Sequence, residues 1–440
     1  MTAPTTFADL ASRRVGIWGV GVEGRATLRR LAAEGVRPTV VVDAEAKQLD
    51  DGTPVLALDD GGLAALLQCE VVIKSPGISR YSPAARALAQ AGVELAGGLG
   101  LWLNGAPRER VLCITGTKGK STTSSVAGHL VRGLGHSVVV GGNLGTPPWE
   151  PGAPTADYYV IETSSYQATD IVAGPRVVAV TSLAQDHLTW HGDYPTYVRD
   201  KLGLATRPGV EAVLIPEGDP ELERYAALLG PHVERVPHTR PAWVGRLGLL
   251  GEHNQRNALL ARAALVALGV PGADDDVAVE SAAADFEPLG SRLTLVASLG
   301  RVDFVDDGLS TNVLPTLAAL DAFGTRTVAL LVGGHDRGID YTELGEGLAQ
   351  RAARGAQVRL LTMPDSGDRI AAEVAAVAPE IEISRCDGLE SAVREGYAWA
   401  APDGVVLLSP AAPSFGRYRD YAERSAHFVE LVADLTARAE

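Results

Sequence analysis

Short apolar runs recur along the chain, and each is followed by a glycine-containing turn and then by a segment with apolar residues at helical spacing. This alternation predicts buried strands connected by helices, so the chain is expected to form α/β layers. The clearest run is Val111–Thr115, which ends at Gly116. The helix expected after it is indicated by its apolar positions, namely Val126, Ala127, Leu130, Val131 and Leu134.

The turn after this strand has the composition of a phosphate-binding loop. Residues 116–122 read Gly-Thr-Lys-Gly-Lys-Ser-Thr and lead into the helix, and backbone N–H groups at such a helix N-terminus bind polyphosphate. Lys120 is placed to reach β- and γ-phosphates, and the Ser121 hydroxyl suits Mg²⁺. The full Walker spacing needs a glycine where this chain has Ile114, so the loop is a shortened form. The alternative is a turn that binds nothing, but its place between a strand and an amphipathic helix favours phosphate.

A second glycine-rich turn lies near the N-terminus. An apolar run enters Gly-x-Gly-x-x-Gly at Gly19, and the next run ends at Asp43, where an acid usually meets a ribose hydroxyl. A third run ends in Ser75-Pro-Gly77, which is either a plain turn or a ligand-binding strand end. Alone, the first turn predicts a dinucleotide site, but the same turn serves any nucleotide diphosphate.

Three polar side chains follow later apolar runs in the central part of the chain. Glu162 ends one run, and a carboxylate opposite the Ser121 hydroxyl suits Mg²⁺ held against phosphates, although a solvated acid is the alternative. His187 is open to three interpretations: a metal ligand, a base or a loop histidine with satisfied hydrogen bonds. Lys201 lies on a predicted helix, where a lysine is ordinarily a solvated charge.

Two amides open a later helix rich in alanine and leucine. Asn254 and Asn257 are three residues apart, so they share one helix face and are able to hydrogen-bond a purine edge. Polar capping of the helix is the alternative for each of them.

Composition restricts the class of protein. A chain of 440 residues exceeds a single core, which predicts roughly two to four domains. The net charge of −15 argues against a nucleic-acid partner. No apolar run approaches the roughly 18 residues of a membrane span, and no secretory signal is visible, so a cytoplasmic protein without a membrane partner is expected. Three widely spaced cysteines, Cys69, Cys113 and Cys386, suit reduced thiols in a cytosol.

The C-terminal third repeats the α/β rhythm. Strands are predicted at 301–305, 327–332, 358–361 and 405–408. Two polar loops follow the second and fourth of these strands, at Gly333–Tyr341 and Ser409–Phe415. Arg337 in the first loop is suited to bind a carboxylate with two parallel hydrogen bonds.

Taken together, these motifs resemble the Mur ligase family, the ATP-dependent amide ligases of peptidoglycan precursor synthesis. The resemblance covers essentially the whole chain. It rests on Thr115–Thr122, Gly141–Gly145, Glu162–Gln167, Asp186, His187, Lys201, Gly251–Asn257 and Leu408–Ala411. It implies three domains: a Rossmann-like UDP-sugar-binding domain (1–107), a central P-loop ATPase-type domain (108–289) and a Rossmann-like amino-acid-binding domain (290–440). The short first domain with Ser75-Pro-Gly77 resembles that of the glutamate-adding branch, which acts on UDP-N-acetylmuramoyl-L-alanine.

The resemblance also implies roles for matching positions. ATP would be bound by Gly116, Thr117, Lys118, Gly119, Lys120, Ser121, Thr122, Asn254, Asn257, Arg292 and Asp307. The UDP-sugar would be bound by Val22, Asp43, Ser75, Gly77, Asn143 and His187, and the incoming amino acid by Thr311, Arg337, Ser414, Phe415 and Tyr421. The catalytic set would be Lys120, Glu162, His187 and Lys201. One Mg²⁺ would lie between Ser121 and Glu162, and a second would be held by His187 and by Lys201 after its carbamylation by CO₂. A monomer acting on small molecules is expected.

The chain departs from the family pattern in its last third. Leu309 stands where the family has lysine, and Gly416 stands where an acid is common. Because the ATP and metal positions are retained, an altered amino-acid acceptor is expected rather than an inactive enzyme. D-glutamate is the family default and L-glutamate the alternative, and the sequence leaves the enantiomer open. The competing interpretations are a folylpolyglutamate-synthetase-like ligase, an NAD-dependent dehydrogenase and a non-catalytic nucleotide-binding protein.

Overall fold

The computed structural model describes residues 4–439, which form three six-stranded sheets with helices between the strands. The predicted α/β class is therefore confirmed. The fold divides into two compact units. The first comprises the residues up to Arg246 together with Arg256–Phe286 and contains two of the sheets, whereas the second comprises Leu247–Gln255 and the residues from Glu287 onward and contains the third.

The first sheet is formed by β1 (Val15–Trp18), β2 (Val40–Asp43), β3 (Lys47–Gln48), β4 (Pro54–Ala57), β5 (Val71–Lys74) and β6 (Glu94–Ala96). Its helices are α1 (Val22–Ala33), α2 (Leu63–Leu66), α3 (Pro83–Gln90) and α4 (Gly98–Gly105). The strand order is β3-β4-β2-β1-β5-β6, and only β3 and β4 are antiparallel. Because β1 lies between β2 and β5, the carboxyl ends of these three strands form a topological switch point, where open sheets bind ligands.

The second sheet is formed by β7 (Val111–Thr115), β8 (Val138–Gly142), β9 (Tyr158–Glu162), β10 (Val177–Val180), β11 (Ala212–Pro216) and β12 (Val233–Val236). Its helices are α5 (Lys120–Gly133), α6 (Ser165–Ala168), α7 (Leu188–His191), α8 (Tyr194–Leu202), α9 (Pro220–Arg224), α10 (Ala242–Arg246), α11 (Glu252–Leu268) and α12 (Asp276–Ala282). All neighbours are parallel in the order β12-β11-β10-β7-β9-β8. The predicted helix after the phosphate-type loop is α5, and its apolar positions Val126, Leu130 and Val131 are buried.

The third sheet is formed by β13 (Thr294–Leu299), β14 (Val302–Asp306), β15 (Val328–Val332), β16 (Val358–Thr362), β17 (Glu382–Arg385) and β18 (Val405–Leu408). Its helices are α13 (Val313–Asp321), α14 (Thr342–Ala353), α15 (Gly367–Val377), α16 (Leu389–Ala400) and α17 (Tyr421–Ala439). The order is β13-β14-β18-β15-β16-β17, with β13 antiparallel to β14 and the other neighbours parallel. The four strands predicted here are confirmed to within one residue at each end. The prediction omitted β13 and β17, which are the edge strands and are only partly buried.

The central strands of each sheet are apolar because both of their faces are covered. Every residue of β1, β7 and β15 is buried, as expected for parallel strands covered on both sides. The three cysteines are buried and unpaired, in agreement with reduced thiols. The domain boundaries at residues 107 and 289 stay predictions. Each of the three sheets nevertheless lies within one of the three predicted domains, 1–107, 108–289 and 290–440.

Candidate active site

The phosphate-type loop connects β7 to α5 in the middle of the second sheet. Gly119 precedes α5 with a φ of 87°, and a Cβ there would lie 2.6 Å from Oδ1 of Asn257. Both the left-handed backbone and the lack of space therefore require glycine. The amides of Thr117 and Lys118 donate to the carbonyl and the hydroxyl of Ser182. An anion is thus best received by the N-terminus of α5, whose first N–H groups have no intrahelical partner.

Two lysines converge on one carbonyl oxygen of this loop. Nζ of Lys120 lies 3.0 Å from the oxygen of Gly116, and Nζ of Lys201, on α8, lies 2.8 Å from the same oxygen. Burial, reinforced by the charge of Lys120, holds the pKa of Lys201 well below its usual value. The Lys201 amine is therefore neutral over a wider pH range than a surface lysine, and the neutral amine is the form that reacts with CO₂. The alternative interpretation of Lys201 as a solvated helix charge is wrong, because its side chain is fully buried.

Glu162 ends β9, the strand that pairs with β7, and its carboxylate is buried. Nδ2 of Asn143 donates to Oε1 of Glu162 over 2.6 Å, whereas Oε2 is buried without a hydrogen-bond partner. A buried carboxylate oxygen without a donor is costly unless a cation or a proton meets it. The Ser121 hydroxyl is buried in the first turn of α5. This donor set, a hydroxyl and a carboxylate oxygen, fits the oxygen ligands that Mg²⁺ prefers.

His187 lies immediately before α7 in a left-handed conformation with a φ of 55°, which is uncommon for a residue other than glycine. Its ring nitrogen Nδ1 is 3.6 Å from Oδ1 of Asp186, and Nζ of Lys118 is 3.3 Å from the other carboxylate oxygen of Asp186. Burial lowers the pKa of His187, although the negative charge of Asp186 opposes this shift. A neutral imidazole is the form that binds a metal ion.

A series of partly buried hydrogen bonds connects the segments that carry these groups. Nδ1 of His191 lies 2.6 Å from Oδ2 of Asp200, and its Nε2 lies 2.9 Å from the hydroxyl of Ser165. The hydroxyl of Tyr81 donates to Oδ1 of Asp200 over 2.7 Å. The sequence analysis did not predict these hydrogen bonds. The one indication in the sequence was the position of Asp200, which directly precedes Lys201. We refer to Tyr81, Asp200, His191 and Ser165 as the His191 relay.

The predicted diphosphate site lies at the switch point of the first sheet. The Ser75 hydroxyl donates to the carbonyl of Gly19 over 2.9 Å, and the amide of Gly19 donates to Val42 beside Asp43. The three predicted strand ends are therefore adjacent. Val22, the first residue of α1, is 73% exposed at this turn. Asp43 is paired with Lys47 over 2.6 Å, a contact that the sequence did not indicate.

Two buried contacts join the first sheet to the second. Nζ of Lys74, the last residue of β5, is 2.6 Å from Oδ2 of Asp170, and both side chains are almost fully buried. Nε2 of Gln167 donates to Oε1 of Glu23 over 2.7 Å. Burial raises the pKa of Glu23 to about 7. Glu23 lies within the glycine-rich turn, and Gln167 lies in the segment that follows Glu162. The hydrogen bond between them therefore connects the predicted diphosphate site to the predicted ATP and metal site.

Three predicted ATP-binding residues belong to the second unit. Asp307 follows β14 and accepts hydrogen bonds from the hydroxyls of Ser310 and Ser409, while burial raises its pKa to about 7. Nδ2 of Asn254 donates to the carbonyl of Leu250. Arg292 lies between two residues with left-handed backbone, just before β13.

The predicted amino-acid residues lie at the carboxyl edge of the third sheet. The guanidinium of Arg337 lies over the ring of Phe415, 5.5 Å from its centroid, and Ser414 is buried beside it. Thr311 and Tyr421 are exposed, and in the described part of the chain they show no hydrogen bond or ring contact with those three. The structure therefore brings together Arg337, Ser414 and Phe415 but gives no such contact for Thr311 and Tyr421.

Residues 4–439 contain neither a cluster of metal-binding side chains nor a membrane-spanning helix. No group of three or more His, Cys, Asp or Glu side chains is arranged to hold a metal ion. No helix has both the length and the apolar character needed to cross a membrane. A metal ion at Glu162 or His187 would therefore need ligands outside those four residue types, such as a hydroxyl, a carbamate or a phosphate oxygen.

Comparison with known proteins gives concordant matches. Residues 114–236 match the family description Mur ligase middle domain. The chain is 39% identical to a UDP-N-acetylmuramoyl-L-alanine–L-glutamate ligase of a Micromonospora species, over 97% of this chain and 98% of that protein. It is 38% identical to the protein of the same name from Xanthomonas euvesicatoria, over 97% and 96%. In fold it is similar to MurF of Acinetobacter baumannii, with a TM-score of 0.59, 16% identity and coverage of 98% and 92%.

Proposed function

This chain belongs to the Mur ligase family of ATP-dependent, ADP-forming ligases, and from that premise we propose that it joins L-glutamate to UDP-N-acetylmuramoyl-L-alanine in peptidoglycan precursor synthesis. Addition of glutamate and the use of ATP and Mg²⁺ follow from the family and from the relatives. The choice of the L enantiomer is the finer part of the proposal.

Two observations support L-glutamate. The relatives that align with nearly the whole chain bear names that specify L-glutamate. In addition, the residues that differ from the family pattern, Leu309 and Gly416, lie in the unit expected to hold the amino acid, whereas the ATP and metal positions are unchanged. L-glutamate presents the same charges as D-glutamate in a mirror-image arrangement, so its binding site needs charged groups at different positions. Changes confined to the amino-acid-binding unit are the ones expected for such a site.

The reaction proposed is transfer of the γ-phosphate of ATP to the substrate carboxylate, followed by attack of the glutamate amine on the acyl phosphate. The amine displaces phosphate, so the products are the amide, ADP and phosphate. The observation that carries this proposal is the convergence of Lys120 and Lys201 on the Gly116 carbonyl. Lys120 exchanges its loop carbonyl partners for phosphate oxygens and stabilises the charge that develops on the transferred group.

The metal ligands proposed are Ser121 and Glu162 for one Mg²⁺, and His187 with carbamylated Lys201 for a second. The lowered pKa values of His187 and Lys201 and the unpartnered oxygen of Glu162 support this assignment. When bound, Mg²⁺ neutralises phosphate charge. The protein residues hold the loop, exclude water and keep the lysine amine available for CO₂.

The nucleotide-sugar is assigned to the switch point of the first sheet. Val22, Asp43, Ser75 and Gly77 lie there, and Asn143 orients Glu162 at the neighbouring site. We further propose that the enzyme works in the cytoplasm, which the three free buried cysteines support, and that it acts as a monomer. The dehydrogenase alternative leaves the phosphate-type loop and Glu162 unexplained, and the separate first sheet speaks against the folylpolyglutamate-synthetase-like alternative.

The decisive experiment measures phosphate release from ATP with UDP-N-acetylmuramoyl-L-alanine and either L-glutamate, D-glutamate or no amino acid. We expect release only with L-glutamate, together with a product whose mass equals that of the substrate plus glutamate minus water. Equal or greater activity with D-glutamate would overturn the enantiomer, and activity with neither would overturn the proposed function.

A further inference from the structure

A small recess opens at the carboxyl edge of the third sheet. It is bounded by the turn after β15, the turn after β16 and the loop after β18, and it includes Ser414 of the predicted amino-acid set. Three charged side chains line it that the sequence analysis did not single out: Asp365, Arg417 and Arg424.

The two arginines differ in what they offer to a ligand. Arg424 is buried, and its two terminal nitrogens donate to the carbonyls of Gly308, Gly333 and Ala412, whereas its Nε is buried without a hydrogen-bond partner. Burial lowers the pKa of Arg424 to about 10, and it therefore still contributes positive charge at neutral pH. Arg417 is exposed and contacts one carbonyl, that of Asp387, at 3.3 Å. Most of the Arg417 guanidinium is thus available to a carboxylate.

Asp365 is exposed on the opposite turn, after β16, in a left-handed backbone conformation with a φ of 75°. Such a conformation is uncommon for a residue other than glycine, and it recurs at ligand sites. No described side chain donates a hydrogen bond to its carboxylate. A Cβ on Gly416 would lie 3.5 Å from Oδ2 of Asp365.

Gly416, which stands where the family commonly has an acid, lies next to the carboxylate of Asp365. An acidic side chain there would start within contact distance of the Asp365 carboxylate, and two like charges at that distance repel. Gly416, with a φ of 100°, adds no charge beside the Asp365 carboxylate.

We propose, resting on the proposed function, that Arg417 binds one carboxylate of the incoming L-glutamate and that Asp365 excludes D-glutamate by like-charge repulsion. Once one carboxylate is held on Arg417, the two enantiomers direct their second carboxylate differently, and a fixed negative charge at Asp365 disfavours the enantiomer whose second carboxylate faces it. That enantiomer is assigned as D-glutamate because the names of the relatives specify L-glutamate. Discrimination by a repulsive group is a common source of specificity.

The test measures kcat and KM for both enantiomers in the full-length enzyme and in four variants. Asp365→Asn is expected to raise kcat/KM for D-glutamate by about tenfold or more while changing that for L-glutamate little. Arg417→Gln is expected to raise KM for L-glutamate by about tenfold or more, with KM for ATP and for the UDP-sugar unchanged. The matched controls are Asp368→Asn, whose carboxylate pairs with Arg385 outside the recess, and Arg419→Gln, which pairs with Glu423.

The outcomes separate this inference from the proposed function. A wild-type enzyme that uses neither enantiomer removes the function and the inference together. A wild-type enzyme that prefers L-glutamate, combined with an unchanged enantiomer ratio in Asp365→Asn or an unchanged KM in Arg417→Gln, overturns the inference alone. Equal effects in the control variants would also overturn it, because the effect would then be one of surface charge.

Discussion

Nδ1 of His191 lies 2.6 Å from Oδ2 of Asp200, the residue that directly precedes the buried Lys201. The other ring nitrogen meets Ser165, three residues beyond Glu162. One imidazole thereby connects the helix that carries Lys201 to the turn that follows Glu162. Because all of these side chains are buried or nearly so, the position of one proposed metal ligand is coupled to that of the other.

Replacing His191 by Phe removes both hydrogen bonds and leaves Asp200 and Ser165 with one partner fewer in the interior. We expect the free energy of unfolding to fall by about 2–4 kcal/mol, since buried polar groups that lose a partner are costly. We also expect kcat to fall more than KM for glutamate changes. Urea denaturation and steady-state kinetics measure these effects, with the exposed His232→Phe as the control. A His191→Phe enzyme as stable and active as the control would contradict a positioning role for the relay.

The carboxyl group of Glu23 makes stability depend on pH. Its pKa is raised from 4.5 to about 7 by burial, so between those values the folded protein binds more protons than the unfolded chain. The free energy of unfolding therefore falls as pH rises through this window, by on the order of 3 kcal/mol in total. Below about pH 4.5 Glu23 is protonated in both the folded and the unfolded protein, so it no longer makes the free energy of unfolding depend on pH.

Glu23→Gln should remove this slope while keeping an acceptor for Gln167. Denaturation measured from pH 5 to pH 8.5 is expected to show the variant gaining on the wild type as pH rises, with most of the gain between pH 5 and pH 7 and a levelling off above pH 7. Glu34→Gln, which removes an exposed partner of Arg30, serves as the control. Parallel curves for the wild type and Glu23→Gln would show that the group is ionised in the folded protein across the whole range.

The ion pair between Lys74 and Asp170 is buried at the contact between the first two sheets. Lys74→Met leaves the Asp170 charge without its partner, and we expect the free energy of unfolding to fall by about 3–5 kcal/mol. The double variant Lys74→Met, Asp170→Leu removes both charges and should recover much of that loss. The exposed pair of Lys47 and Asp43 provides the control, and Lys47→Met should cost well under 1 kcal/mol. Similar losses for the two single variants would contradict the assigned importance of burial.

Carbamylation of Lys201 gives a spectroscopic prediction. With ¹³C-labelled bicarbonate, the wild-type enzyme should show a carbamate carbon resonance that is absent from Lys201→Ala and Lys201→Arg. Turnover should be abolished in Lys201→Ala, and added bicarbonate should not restore it, because no amine remains to react. Lys118→Arg, which retains the salt bridge to Asp186, should keep the resonance. Full activity of Lys201→Ala would rule out the carbamate.

Local motifs were predictable because each depends on residues close together in the chain. Gly119, Lys120 and Ser121 form a loop and a helix start that backbone geometry alone requires, and Glu162 ends a strand whose apolar run is visible in the sequence. The four inner strands of the third sheet were predicted to within one residue for the same reason. The edge strands β13 and β17 were not, since a half-exposed strand carries a weaker apolar pattern.

The sequence by itself determined the α/β class, the family, the phosphate-type loop and the residues expected to meet ATP and metal ions. Only the tertiary structure decided what those residues contact. Lys201 is buried and its pKa is lowered because β7 and α8 bring its amine against the carbonyl of Gly116, which is 85 residues away. Glu23 accepts a hydrogen bond from Gln167, which is 144 residues away, and the Asp365 carboxylate lies next to Gly416. Both contacts arise from the packing of distant elements, which no local sequence pattern encodes. Burial and charge proximity depend on the whole fold, so they set these pKa values and pairings where spacing along the chain does not.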